Sequence, residues 1–238
     1  MQYLPPIKAQ QKAKGQPLKY TGAVAKGYDD KRKSSDKWKV EQRIIEEMLS
    51  ELPQFSWVLD APCGTGRWLD VCHRQGLIYR GLDISEDMIK QAAAKLGKET
   101  PLLRFTLADG KQFEAPQFAF ARGDVLNCGL EDNSVDVALN IRITRWLSAE
   151  ECQQMFREMQ RIARKQIILT ARVANHPYAR PLAIFEAAMQ DGWQLSDSVP
   201  GYQPEYRIFR FAHKSAVRNE TPKQEADDSW VMKPYEGV

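Results

Sequence analysis

No apolar run in the sequence approaches the roughly 18 residues needed to span a membrane, and no apolar signal region lies near the first residue. A cytoplasmic location with no transmembrane segment is therefore the default expectation. There are four cysteines (Cys63, Cys72, Cys128 and Cys152), none in a C-x-x-C pair. That spacing argues against a zinc site or a disulfide framework and for reduced thiols in the core. Three histidines (His73, His176 and His213) are too dispersed for a catalytic triad or a metal cluster, so no metal is expected. A P-loop of the form G-x-x-x-x-G-K-[ST], a G-x-S-x-G nucleophile turn and an internal repeat are all missing.

What remains is a chain of 238 residues, 43% apolar and 10% aromatic, enough for one substantial domain with a full core. The net charge of +3 conceals an asymmetry: residues 1–40 carry ten Lys or Arg against three Asp. Residues 1–27, rich in Gln, Lys, Pro and Gly without a period, read as a basic, flexible arm. Such an arm is either simply solvated or a contact for the phosphates of nucleic acid or lipid head groups. Residues 28–213 form the expected domain, and the polar stretch 214–238 reads as a tail with no core to join.

Ile44, Ile45, Met48, Leu49 and Leu52 fall on one helical face, and Pro53 ends that helix. Strands are expected over 56–59, 77–84, 118–122, 134–140 and 166–170, with helices between them. Ser85 with Glu86 and Asp87 marks one helix start, Gly97 its end, and Ser148-Ala149-Glu150-Glu151 is a capping box. Residues 102–107 read as a strand of an extra hairpin turning at 108–111. A helix is expected over 181–190, and then 193–195 and 206–211 follow without a helix between them and should pair as an antiparallel ribbon. The alternation predicts an α/β, doubly wound, mostly parallel sheet with right-handed crossovers.

In such a sheet, ligands sit at the carboxyl ends of strands near the first one. That rule gathers four features into one crevice. Gly64 and Gly66 follow the first strand, where positive φ and close backbone approach are possible. Asp83 ends the second strand, Asp124 follows the third, and Asn140 ends the fourth. A carboxylate at the end of the second strand suits a ribose diol. Leu69 stands where a dinucleotide fingerprint needs its third small residue, so a pyrophosphate is disfavoured. Two ligand-side acids and no basic phosphate grip point to a nucleoside without phosphates.

The segments Val58-Leu59-Asp60-Ala61-Pro62-Cys63-Gly64-Thr65-Gly66-Arg67, Gly81-Leu82-Asp83-Ile84-Ser85, Gly123-Asp124-Val125 and Ser134-Val135-Asp136-Val137-Ala138-Leu139-Asn140 resemble the ordered motifs of class I S-adenosylmethionine-dependent methyltransferases. The resemblance covers roughly residues 38–213. It implies a seven-stranded, Rossmann-like sheet whose last strand is antiparallel, inserted between the fifth and sixth. It also implies S-adenosyl-L-methionine as cofactor. Asp60, Ala61 and Gly64 would line its methionine half, and Gly66 and Arg67 complete that motif. Asp83 would take the ribose hydroxyls, Ile84 would pack on adenine, Asp124 would meet the adenine amine beside Val125, and the Asn140 carbonyl would lie near the methionine ammonium. The family commonly has glycine where this chain has Ala61.

A sulfonium is an activated methyl donor, so in-line alignment in a site that excludes water is the main requirement. A base is needed only if the acceptor loses a proton in the transition state. Acceptor-side candidates are Tyr20, Tyr28 and Trp38 before the first strand, Arg142, Arg145 and Trp146 after the fourth, and Arg172, His176 and Tyr178 after the fifth. Arg142 and Arg145, if helical, share a face that could grip a carboxylate or phosphate. The expected function is methyl transfer to a small-molecule or lipid- or glycan-linked acceptor. The alternatives are an RNA or protein methyltransferase using the basic arm, and a non-catalytic cofactor-binding regulatory module.

Overall fold

A computed structural model describes residues 20–30, 32, 35–96, 100–106 and 112–217. Residues 1–19 of the expected arm 1–27, the hairpin tip 108–111, the helix stop at Gly97 and residues 218–238 of the expected tail 214–238 lie outside the described residues. The elements in chain order are α1 (Gly22–Lys26), α2 (Asp36–Ser50), β1 (Trp57–Asp60), α3 (Leu69–Arg74), β2 (Ile78–Asp83), α4 (Glu86–Ala93), β3 (Leu102–Thr106), β4 (Gln112–Pro116) and β5 (Phe118–Arg122). They continue with β6 (Val135–Asn140), α5 (Ala149–Ile162), β7 (Ala163–Arg172), α6 (Leu182–Glu186), β8 (Trp193–Pro200) and β9 (Tyr206–His213).

Seven strands form one sheet in the order β5-β2-β1-β6-β7-β9-β8. The first five of these are parallel, and β9 runs antiparallel to both β7 and β8. β1 and β6 are buried at every position, as central strands covered on both faces must be. Alternate residues supply two apolar layers. Val58, Tyr79, Val137, Leu139 and Ile168 face α2, α3 and α4, through Ile45, Leu49, Leu69 and Ile89. Leu59, Ile78, Ala138, Ile167 and Leu169 face α5 and α6, through Met155, Phe156, Met159 and Phe185. Phe156 anchors the second layer, its ring 5.6 Å from that of Phe185 and 4.7 Å from that of Phe211. Truncating such a ring to alanine costs about 3–5 kcal/mol.

Local chemistry sets the boundaries. Ser148 and Glu151 complete the capping box at the head of α5, and the Ser85 side chain caps α4. β3 and β4 pair antiparallel as a separate two-stranded sheet, so this hairpin is an insertion and the third sheet strand is β5. The helix expected over 181–190 is shorter. Gln160 donates to the Ala188 carbonyl at 3.0 Å and accepts from the Gln190 N–H at 2.7 Å, drawing these groups away from helical pairing. The helix after the glycine turn starts at Leu69, because residues through Trp68 remain in the turn. Residues 20–27, the end of the expected arm, are instead structured: they include α1, which packs on α4 with Ala25 buried. Among the described residues, no helix is long and apolar enough to cross a membrane.

Candidate active site

The carboxyl ends of β1, β2, β5 and β6 meet at one crevice. Gly64 and Gly66 both adopt left-handed backbone, with φ of 56° and 69°. A Cβ built on Gly64 would meet nothing within 4 Å, so the turn faces open space, whereas one on Gly66 would press on Ala92 and Phe120 at 3.2 Å. The first glycine therefore keeps room for a ligand, and the second keeps the turn close to α4 and β5.

Asp83 braces the turn from β2. One carboxylate oxygen accepts from the Gly64 N–H and the other from the Ser85 N–H, both at 2.8 Å. Each oxygen keeps a second lone pair for a further donor such as a ribose hydroxyl. Burial pushes the Asp83 carboxyl up to about 6, against the pull of these two N–H donors. The Gly123 N–H donates to the Asp83 carbonyl at 3.0 Å and places the next acid, Asp124, beside it. Asp124 accepts from the Leu126 N–H at 2.9 Å with one oxygen, so part of its capacity goes to its own turn. Val125 is buried and Ile84 half-buried.

Asp60 and Asn140 end the two central strands. Asp60 is buried, accepts from the Tyr79 hydroxyl at 2.7 Å with one oxygen, and has no donor at the other. Burial raises its carboxyl to about 8, the nearby Asp83 charge adds to the rise, and the Tyr79 hydrogen bond opposes it. Asn140 donates to the Ala61 carbonyl at 2.6 Å, which fixes its amide orientation and leaves its side-chain oxygen buried without a donor. Spare acceptors at the ends of β1, β2 and β6, beside an open glycine turn, fit a ligand rich in donors. S-adenosylmethionine offers an ammonium, two ribose hydroxyls and an adenine amine, so these residues match its chemistry.

Arg67 is placed differently from the rest of its motif. It stacks between Trp38 and Trp68, 3.6 and 4.5 Å from their ring centres. Its guanidinium pairs with the fully buried Glu41, with Gln42 at 2.8 Å and with the Trp38 carbonyl at 2.8 Å. Arg142 reaches the same carboxylate from just beyond β6, its Nε lying 2.8 and 3.1 Å from the two oxygens, and the Tyr206 hydroxyl donates to it from β9. Glu41 lies on α2 among residues with no motif signal, and sequence reasoning missed it. An acid within an apolar helix stripe was the available clue.

Arg142 and Arg145 do not share a helical face. Arg142 sits at φ 65°, outside any helix, and only Thr144–Trp146 form a single 3-10 turn. A left-handed non-glycine residue costs about 1–2 kcal/mol. Arg142 is held there by its own N–H, which donates to the Thr170 hydroxyl at 2.8 Å. The Arg145 guanidinium lies 4.8 Å from the Trp146 ring centre. His176 is on an exposed loop, its ring nitrogen accepting from the Tyr178 N–H at 3.1 Å, and no contact among the described residues joins it to the crevice.

Residues 20–30, with Arg32, lie across this crevice as a strap. The Ser85 hydroxyl donates to the Tyr20 carbonyl at 2.5 Å, and the Gly22 N–H donates to Asp87 at 2.7 Å. Asp29 accepts from the Thr65 hydroxyl at 2.6 Å and pairs with Lys95 at 2.7 Å. The Tyr20 ring meets the edges of Tyr28 and Trp146 at 5.5 and 6.0 Å, and Arg32 covers Tyr28 at 3.8 Å. Burial raises the Tyr28 hydroxyl above its ordinary value.

Residues 59–170 match the family described as "Methyltransferase domain". No curated protein is a significant sequence match. Among solved structures, the magnesium protoporphyrin IX methyltransferase of Synechocystis with bound S-adenosylhomocysteine is similar, with a TM-score of 0.58 and 18% identity over 79% of this chain and 94% of that one. A TehB-like S-adenosylmethionine-dependent methyltransferase of Corynebacterium glutamicum gives a TM-score of 0.57 and 16% identity, covering 81% of this chain and 99% of that one. At these identities, the structural likeness speaks for the fold. The family match spans the glycine turn, Asp83, Asp124 and Asn140, the residues that supply the donor-seeking crevice. On this match residues 59–170 are a methyltransferase domain, and the sheet around them has the fold of class I S-adenosylmethionine-dependent methyltransferases.

Proposed function

We propose that this methyltransferase acts on a small-molecule or lipid- or glycan-linked acceptor that lies beneath the strap. The observation that carries the reading is the strap itself. Its ties run from Ser85 and Asp87 at the head of α4, through Thr65 in the glycine turn, to Trp146 after β6. An acceptor reaching the crevice must fit between this segment and the strand ends, and a folded macromolecular surface is too broad for that approach.

Bound in the crevice, S-adenosylmethionine supplies a methyl group already activated on a sulfonium. The chain's own residues then have three tasks. Asp60, Asp83 and the Gly64 turn fix the cofactor end of the reacting line. Tyr20, Tyr28 and Trp146 close the other side against water, which favours charge movement in a dry, ordered site. Tyr28, raised by burial, keeps its proton at neutral pH, so its hydroxyl orients an acceptor by hydrogen bonding and is not a proton-abstracting base.

The test is transfer of labelled methyl from S-adenosylmethionine into cell extract separated into small-molecule, lipid, RNA and protein fractions. Label in the small-molecule or lipid fraction supports the reading. Label confined to RNA or protein refutes it. Tight cofactor binding with no S-adenosylhomocysteine formed from any fraction would mark a binding module.

A further inference from the structure

We propose that the acceptor is a flat, anionic small molecule whose carboxylate or equivalent group is held by Arg142. This rests on the small-molecule reading above and narrows its substrate class.

The first support is an imbalance of charge. Arg67 and Arg142 share one acid, Glu41, whose side chain is fully buried, and Tyr206 adds a neutral donor to the same oxygens. Two cations against one carboxylate leave an excess positive charge in a largely desolvated cluster. Arg32 on the strap and Arg145 after β6 pair with no carboxylate among the described residues; each lies over an aromatic ring instead. Of the strap's two acids, Asp29 already pairs with Lys95 and Asp30 is exposed to solvent, outside the desolvated cluster.

The second support is geometry. Arg142 spends only its Nε on Glu41. Its two terminal nitrogens have no hydrogen-bond partner among the described residues, and the side chain is 26% exposed. The planar edge left over is the half of a guanidinium that binds a carboxylate through two parallel bonds. Glu41 holds the other half still, so the fork is pre-oriented, and its charge is felt at the Tyr28 hydroxyl beneath the strap. The strained backbone at φ 65° is the third support, since such conformations persist at sites that use them. Tyr20, Tyr28, Trp38 and Trp146 supply flat faces around this fork, which suits a planar ring better than a flexible chain.

The experiment titrates the protein–S-adenosylhomocysteine complex with sodium benzoate and with benzamide, its neutral isostere, by calorimetry. Wild type, Arg142→Gln and Arg142→Lys are compared. Benzoate is expected to bind at least about tenfold more tightly than benzamide, and Arg142→Gln should bring it to the benzamide level. Arg142→Lys, which keeps the charge but not the fork, should fall between. Retained S-adenosylhomocysteine affinity reports that each variant is folded; if Arg142→Gln is not, the Lys variant alone must still lose affinity for benzoate and not for benzamide. Equal binding of the two probes, no binding of either, or unchanged benzoate affinity in Arg142→Gln overturns the proposal. So does an equal loss of S-adenosylhomocysteine affinity in that variant, which would assign Arg142 to the cofactor's own carboxylate. Passing the small-molecule extract over an anion exchanger separates the two readings. Methyl label only in the unretained fraction ends the anionic acceptor and leaves the small-molecule acceptor standing, whereas label only in RNA or protein ends both.

Discussion

Replacing Asp60 with asparagine should remove most of the pH dependence of cofactor binding between pH 6 and 7. In the free protein the Asp60 carboxyl is held at about 8 by burial, so at pH 7 about nine molecules in ten carry its proton. A cofactor ammonium at the end of β1 favours the carboxylate and expels that proton on binding. About 0.9 proton should therefore be released per cofactor at pH 7, and affinity should rise about tenfold from pH 6 to pH 7. Asp83, held at about 6, contributes only about a twofold rise over the same interval. The assay is calorimetry with S-adenosylhomocysteine at pH 6, 6.5 and 7, in buffers of different ionisation enthalpy, which counts the protons. The folded state holds the Asp60 proton to about pH 8, while the unfolded chain loses it near the ordinary carboxylate value of about 4. The unfolded state then binds fewer protons, so stability from this group is full below about pH 4 and is lost as pH rises to about 8. The asparagine amide keeps an acceptor for Tyr79 and removes the buried charge, so the variant should fold and its melting temperature should fall less between pH 5 and pH 8. Proton release below about 0.3 at pH 7, or the same pH slope of affinity in Asp60→Asn, would refute the reasoning.

Asp83→Asn leaves an N–H₂ facing one of the two N–H donors, Gly64 or Ser85, and removes the charge offered to the ribose. A hydrogen bond to a charged group contributes about 1.5–3 kcal/mol, so S-adenosylhomocysteine affinity should drop about 10–100-fold by calorimetry; a change under threefold would exclude Asp83 from the ribose site. Gly64→Val and Gly81→Ala should part company in a paired thermal-shift and binding measurement. Gly64→Val fills open space beside a left-handed backbone and should lose cofactor binding while costing about 1–2 kcal/mol of stability. A Cβ at Gly81 would lie 2.4 Å from Phe120, an overpacking penalty of about 1–3 kcal/mol with most cofactor affinity kept in the folded fraction. Asp29→Ala removes the strap's ties to Thr65 and Lys95; stopped-flow release of S-adenosylhomocysteine should accelerate about 3–10-fold, and an unchanged rate would mean that the strap does not gate the crevice.

The sheet was legible because its signals are local and repeated: apolar runs at β1 and β6, the glycine turn, and acids at strand ends. The antiparallel β8–β9 ribbon was legible from the missing helix before Tyr206. Asp83 followed from the same logic, since a carboxylate at that strand end has few other partners. The Glu41 cluster was not legible, because its members come from α2, the glycine turn, β6 and β9, and no sequence spacing relates them. Arg67 stands inside a ligand motif, yet its side chain turns to Trp38 and Glu41; the motif fixes its backbone and not its rotamer. The left-handed Arg142 was equally hidden, since arginine gives no sign of positive φ and the hold on it comes from Thr170 on the neighbouring strand.

The insertion of β9 between β7 and β8 has a consequence for the order in which the protein becomes competent. The residues expected to face the cofactor run from Asp60 to Asn140, in one stretch that a growing chain emits before β9. The Glu41 cluster is different: Glu41 and the Tyr206 hydroxyl that donates to it are 165 residues apart. Until the last strand slides in beside β7, the buried acid on α2 lacks its third donor and β7 has an open edge. Joining such distant parts is slow in proportion to the entropy of the loop between them. A chain cut short before Tyr206 would lack both the antiparallel partner of β7 and the third donor to Glu41.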